Sequence, residues 1–237
     1  SGGETFQCIL TSPEKQQIFD ILADRKKKTI VEYLKKFPNL DEVKYFVMDM
    51  NHVYLGICKE LFPNAKPVAD RFHYTRCCTE AVEAVRKRVQ DSLSSKVRKR
   101  FKKSRKLLLK KDGKLSPEER VAVEALLAHS EDLTRAWLLK EDFYRFLQSK
   151  DSDEAKKKLD QFCYSAKKLQ LPEFEPLLKT LKNWEPYILN SFDCPYSNGF
   201  TEGTNNSIKV LKRVTYGMPN FRNFRARILH CCSKVVP

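Results

Sequence analysis

The sequence predicts an α/β core interrupted by a long, purely helical insertion, and three observations carry that expectation. Up to about residue 73, short alternating or continuous apolar runs trade places with helical patterns. From residue 74 to about 190 the apolar residues recur almost only at helical spacing, with many charges and few glycines. Two further amphipathic segments then close the chain. The expected organisation is a first part of the core at 1–73, the insertion at 74–195, and C-terminal core helices at 196–237.

Each element has its own pattern. Phe6, Cys8 and Leu10 share one face at period two, residues 11–15 read as a turn, and residues 17–22 read as the return strand of a hairpin. Ile30, Val31, Leu34 and Phe37 shift to helical spacing, and Pro38-Asn39 stops the run. Residues 43–48 are apolar apart from one lysine, which predicts a buried strand ending at Asp49. A helix with Val53, Tyr54, Ile57, Cys58, Leu61 and Phe62 inward follows, then a short strand, 66–69, ending at Asp70. In the insertion, Pro117, Pro172, Pro176 and Pro186 are read as breaks between helices, and Trp137 and Trp184 as core packing. The closing helices cover roughly 198–214 and 221–232.

Composition narrows the function. The 237 residues carry 45 Lys and Arg against 30 Asp and Glu, a formal charge of +15. A surplus of that size points to a polyanionic partner, nucleic acid foremost; the alternative is a set of solvated helix faces. No segment has the apolar length of a membrane span, and no signal-peptide pattern is present, so a cytoplasmic protein is expected. The eight cysteines include the adjacent pairs Cys77-Cys78 and Cys231-Cys232 but no Cys-x-x-Cys and no zinc-like spacing, so most are read as reduced, buried, small hydrophobes. The chain opens Ser-Gly-Gly without a methionine, which reads as a piece of a longer protein.

Functional residues of α/β folds collect at the carboxyl ends of strands, where Asp49 and Asp70 are expected. Capping of the next helix is the competing explanation for Asp49. On a helix through residue 202, Glu202, Asn206, Lys209 and Arg213 fall within a stripe about 60° wide, with Phe200, Ile208 and Leu211 roughly opposite. A carboxylate followed by two cations down one face suits a cation and a phosphate backbone; a plain solvated face is the alternative. The basic run 98–111 has Val97, Phe101, Ser104 and Leu108 as an inward stripe, and Lys102, Lys103, Arg105 and Lys106 are its candidate phosphate contacts.

Several blocks resemble the ISL-three family of bacterial insertion-sequence transposases: Val47-Met48-Asp49-Met50-Asn51-His52-Val53-Tyr54, Leu61-Phe62-Pro63-Asn64-Ala65, Asp70-Arg71-Phe72-His73, and residues 197–209 around Glu202. The tail from Lys212 to Gly217 and from Asn220 to Arg225 continues the likeness, in order, through the chain. The resemblance implies an RNase H-like mixed sheet and an Asp-Asp-Glu triad. By position, Asp49 is its second Asp and Glu202 its Glu, the catalytic and metal-binding pair. Asp70, His73 and Asn206 are supporting residues. The first Asp belongs on a strand before the hairpin, so the first strand is missing from this chain and the fragment is expected to be inactive. Also implied are two Mg2+ or Mn2+ ions, duplex DNA at transposon ends and target, a homo-oligomer in the synaptic complex, and a place at the bacterial nucleoid. An RNase H-like nuclease and a non-catalytic DNA-binding module remain alternatives.

Overall fold

The computed structural model describes residues 7–196, 199–215 and 220–232, and nothing of the Arg100 and Cys232 side chains. Phe6, Ser197, Asn198, Tyr216 and Gly217, all singled out in the sequence, lie outside the described residues. The chain forms a mixed α/β protein, mostly helical with two small sheets, divided into two compact units. One combines Ser1–Asp70 with Cys194–Pro237; the other is Arg71–Asp193.

In the first unit, β1 (Cys8–Ser12) pairs antiparallel with β2 (Gln17–Leu22). The turn lies one or two residues later than the sequence pattern placed it. Thr11 and Ser12 stay in the strand, and Gln16 (φ 48°) takes the left-handed position that closes the turn. The register slips between Leu10 and Thr11, which leaves Phe19 without a strand partner. A bulge of this kind turns its residue off the ladder, and the Phe19 ring packs instead 5.0 Å from that of Phe37.

Alternation along the hairpin builds a core on each face. Cys8 and Leu22 pack with Ile30 and Leu34 of α1 (Lys27–Leu34) and Ile57 of α2 (His52–Leu61). Ile18 and Ile21 pack with Ile208 of α10 (Gly199–Val214) and with Phe224 and Ile228 of α11 (Phe221–Cys232). Chain segments almost two hundred positions apart therefore share one hydrophobic centre. A short 3-10 turn, Leu40–Glu42, precedes β3 (Tyr45–Met48), which the apolar run had begun at Val43. Strand β3 pairs in parallel with β4 (Lys66–Ala69), and α2 makes the crossover that parallel strands require.

The second unit is helical: α3 (Arg71–Asp91), α4 (Ser95–Lys103), α5 (Arg105–Leu109), α6 (Pro117–Leu127), α7 (Glu131–Phe146), α8 (Ser152–Leu169) and α9 (Glu175–Asp193). Its centre is aromatic, with the Phe143 ring 5.5 Å from Phe146 and 5.2 Å from Phe162. Helix starts follow side-chain chemistry. Pro117 opens α6 inside a reciprocal Ser116–Glu119 capping box, and Asp151 caps α8 through the Glu154 amide. The two ends of the unit are tied together, because Arg71 donates to the Ser191 carbonyl at 2.9 Å and lies 4.4 Å from the Phe192 ring centroid. Tyr74 and Ser191 share a hydroxyl hydrogen bond beside them.

Two expectations need correction. Pro186 does not end a helix; it lies inside α9, where Trp184 and Ile188 on either side of it are buried and hold the chain helical despite the missing N–H. Most of the described cysteines are not fully buried: Cys8, Cys58 and Cys78 are, Cys77, Cys163 and Cys194 are half-buried, and Cys231 is exposed. Burial pushes the Cys8 and Cys58 thiols up to about 11, which keeps them protonated and unreactive. Trp184 is buried as expected, and half-buried Trp137 packs beneath the Lys140 ammonium, 5.0 Å from its ring centroid.

A buried ionic network locks the hairpin to the last helix. Asp20 of β2 is 3% exposed and receives Arg225 Nε at 2.6 Å, Arg225 Nη2 at 2.8 Å and Tyr33 Oη at 2.5 Å. Burial raises the Asp20 carboxyl, but the bonds from Arg225, Tyr33 and the Ile21 amide outweigh it and hold the group below its ordinary value. Tyr33 is pushed up to about 12 by burial and by that same carboxylate. Arg225 is 42% exposed, so solvent screens part of the pair. Replacing Arg225 with Met should therefore cost about 1–2 kcal/mol in urea denaturation at neutral pH. Because the folded pKa is depressed, this contribution is present above the unfolded value near 4 and is lost as pH falls through the folded value. A wild-type-to-variant gap unchanged at pH 2 would show that the pair contributes packing alone.

Candidate metal centre

The β3–β4 register decides the position of two acids. Met48 is paired with Ala69, so the next residues, Asp49 and Asp70, leave the sheet side by side at its carboxyl end. The Asp70 amide donates to the Met48 carbonyl at 2.9 Å and carries the ladder one step further. Helix α3 starts immediately afterwards, which puts His73 in its first turn, less than one turn along the chain from Asp70. Ligand atoms of Asp49, Asp70 and His73 lie within 4.8 Å of one another, the one such group among the described residues. Asp70 is buried, and the other two are half-buried.

Capping does not account for Asp49. The N-cap of α2 is Asn51, whose side chain accepts the Val53 amide at 2.8 Å. Two carboxylates and one imidazole at this spacing suit a single divalent cation. The oxygens match Mg2+ or Mn2+, and the imidazole makes Mn2+ the easier occupant. The sequence had given Asp70 and His73 only a supporting role, whereas the geometry sets them as near to Asp49 as ligands would be.

Glu202 lies half-buried in the first turn of α10 and is not a member of this cluster. Asn206, Lys209 and Arg213 are exposed along the same helix, while Thr204 and Ile208 are buried. Helix α10 is laid along β1 by a contact at each end: Thr11 and Thr201 hydroxyls meet at 2.7 Å, and Lys212 Nζ donates to Gln7 at 2.9 Å. Sequence reading missed these contacts, since no spacing rule links residue 11 with residue 201. Tyr196, just before α10, packs edge-on against Tyr45 of β3 with centroids 6.2 Å apart.

Between these elements the first unit contains a cavity of about 1250 Å³. It is lined by residues 7–11 along β1, by residues 45–49 along β3, and by Asn205, Ile208 and Lys209 of α10. Among the described residues β1 pairs only with β2 and β3 only with β4, so each strand turns an unpaired edge to its surroundings. In the other unit Lys102, Lys103, Arg105 and Lys106 are all exposed. Among the described residues no helix is long and apolar enough to cross a membrane.

The fold is mixed α/β with two carboxylates at the ends of paired parallel strands, and comparison with known proteins gives its family. Residues 2–228 match the profile of a family described as Transposase, the ISL-three group. The chain belongs to this transposase family. It is 24% identical over 231 residues to the transposase for insertion sequence element IS1001 of Bordetella parapertussis, covering 95% of this chain and 57% of that protein. It is 27% identical over 195 residues to the transposase for insertion sequence element IS1557 of Mycobacterium tuberculosis, covering 73% and 43%. A 108-residue stretch is 35% identical to a Lactococcus lactis protein named ATP-dependent protease, covering 45% of this chain and 33% of that one. The chain thus spans about half the length of the transposases it matches. No solved structure matches it significantly.

The Asn51 cap sets where α2 begins and so how the backbone leaves Asp49. Asn51→Ala should lower stability by about 1 kcal/mol, read from the denaturation midpoint. A variant as stable as the parent would mean that another group satisfies the Val53 amide.

Proposed function

We propose that this chain is the catalytic core of a bacterial cut-and-paste transposase, RNase H-like in fold, which cleaves and joins phosphodiesters at insertion-sequence ends. The observation that carries the reading is the Asp49–Asp70–His73 group at the carboxyl ends of two paired parallel strands, in a member of the ISL-three family. Asp49 and Glu202 are the catalytic carboxylates. Asp70 and His73 bind beside Asp49 and fix its orientation. Bound Mg2+ or Mn2+ would supply an activated water and a polarised phosphate, and later an activated 3′-hydroxyl. Asn206 orients the Glu202 side of the site. Lys209 and Arg213, exposed farther along α10, hold backbone phosphates of the duplex.

The third carboxylate comes from an aspartate on a strand preceding the hairpin. Support for this comes from the cavity, which is lined by residues of both β1 and β3, strands that each pair on one side alone among the described residues. An extended segment lying there would pair with both edges and bring its end towards Asp49, which also lines the cavity. In this reading residues 74–195 are an insertion into a core made of 1–73 and 196–237. The enzyme works on DNA at the nucleoid as a homo-oligomer in its synaptic complex. An RNase H-like nuclease would use the same residues without joining DNA, and a non-catalytic DNA-binding module would need none of them.

Calorimetric titration tests the centre directly. The chain should bind Mn2+, and Asp49→Asn or His73→Ala should each weaken binding by at least about tenfold. Equal affinity in all three proteins would remove the assignment. Activity provides a separate check. The 237-residue chain alone should leave transposon-end DNA uncut in Mg2+ or Mn2+. A longer protein supplying the aspartate-bearing strand should cut and join it, and Asp49→Ala or Glu202→Ala there should abolish both steps with DNA binding retained. Metal-dependent cleavage by the shorter chain would shift the third carboxylate to Asp70, and cleavage without joined products would favour the nuclease.

A further inference from the structure

The second unit carries its positive charge unevenly. Between Asp91 and Asp112 the chain has ten lysines and arginines and no acid. Within this run Lys99, Lys102, Lys103 and Lys106 follow the i, i+3, i+4, i+7 spacing of one helix face, and all four are exposed. Helix α4 ends at Lys103 and α5 begins at Arg105, and Ser104 between them keeps a right-handed helical conformation. Phe101, Ser104 and Leu108 are buried on the opposite side. Two arginines of the run are used differently: Arg98 pairs with Asp91 at 2.9 Å, and Arg105 approaches Glu83 at 3.9 Å.

The back of this segment is clamped by buried donors. Arg86 of α3 donates to the Phe101 carbonyl at 2.8 Å. Lys140 of α7, fully buried, donates to the carbonyls of Leu108 at 2.8 Å and Lys110 at 2.7 Å. Tyr144 Oη reaches the Leu109 carbonyl at 2.9 Å. These carbonyls stand at or just past helix ends, where backbone acceptors lack the i+4 partner of a helix interior, and the Phe101 carbonyl also accepts from the Ser104 amide at 3.1 Å. Glu83 neutralises Arg86, and Glu141 neutralises Lys140. The rear of the segment is therefore rigid and electrically balanced, and its front is neither paired nor neutral.

We infer that Lys99, Lys102, Lys103 and Lys106 form a preorganised surface for the phosphate backbone of duplex DNA, with Arg86, Lys140 and Tyr144 as its positioning residues. The inference rests on the transposase reading for its choice of partner. The stripe is about 10 Å of helix long, over which a duplex presents about six phosphates on its two strands. Residues 92–111 contain no Asn or Gln to read base edges, and their single aromatic residue, Phe101, is buried. The contact proposed for these four lysines is with the phosphate backbone, which carries no sequence information. Lys99 takes the place of Arg105 in this stripe, because Arg105 falls off the i, i+3, i+4, i+7 face and approaches Glu83 at 3.9 Å.

The test is the salt dependence of binding to a duplex oligonucleotide of arbitrary sequence, followed by fluorescence anisotropy with the 237-residue chain. Changing all four lysines to Ala should reduce the slope of log K against log salt by about 3 to 4. A control triple substitution of Lys156, Lys157 and Lys158 removes three charges, two of them already paired with Asp160, Glu185 or Glu154. It should change the slope by less than about 1. Tyr144→Phe keeps every lysine and removes one clamp; affinity should fall roughly two- to tenfold with the slope unchanged. An unaltered slope in the quadruple variant, or an equal fall in the control, overturns the surface, and unaltered affinity in Tyr144→Phe overturns the positioning role. Failure of the parent chain to bind DNA at all would reject the transposase reading too, whereas loss of Mn2+ binding would leave these measurements untouched.

Discussion

Parallel pairing of β3 with β4 is the constraint on which the candidate centre depends. Two strands joined by a crossover helix run in the same direction, so both end at the same edge of the sheet. Alignment of Met48 with Ala69 then makes neighbours of two residues twenty-one positions apart, Asp49 and Asp70. A slip of one residue would move one acid along the strand and turn its side chain to the other face. The apolar content of both strands and the cap at Asn51 hold that register, so packing and local hydrogen bonding alone fix the geometry of the two acids.

Much of this was legible in the sequence because it depends on local periodicity. The hairpin, the crossover helix, β4 and the two closing helices are found within a few residues of where the patterns put them, and the stretch from residue 74 to about 190 is helical as its periodicity predicts. The misses share a cause. Pro186 breaks a local rule but sits where buried neighbours on both sides stabilise the helix. The turn after β1 moved because Gln16 adopts a positive φ without being glycine, a choice that single-residue preferences do not favour. The strand pattern marked Asp70 and the family resemblance added His73, and only the fold revealed how near both lie to Asp49. Contacts that join distant segments, such as Thr11 with Thr201 and Asp20 with Arg225, have no sequence signature at all.

The net charge of +15 is not spread evenly in its effect. Many cations are committed to internal tasks: Arg225 to Asp20, Arg88 to Asp132 and Glu173, Arg86 and Lys140 to backbone carbonyls. Such pairs contribute to order more than to the outward field. What remains for a polyanion is the subset whose side chains are exposed with no acid nearby, so a count of basic residues overstates the surface available to one.

The tie between the beginning and end of the helical unit has a further consequence for how the chain assembles. The first unit needs α10 and α11 to reach a hairpin from which the intervening helices separate them, and an unstructured loop of that length would oppose the encounter through its entropy. Arg71, gripping Ser191 and Phe192, closes that loop from within. Once the helical unit has folded, its neighbours in sequence emerge close together, as though joined by a short linker. The order of folding is then set by topology: the helical unit, rich in local contacts, forms early, and the sheet-bearing unit condenses around ends already brought together.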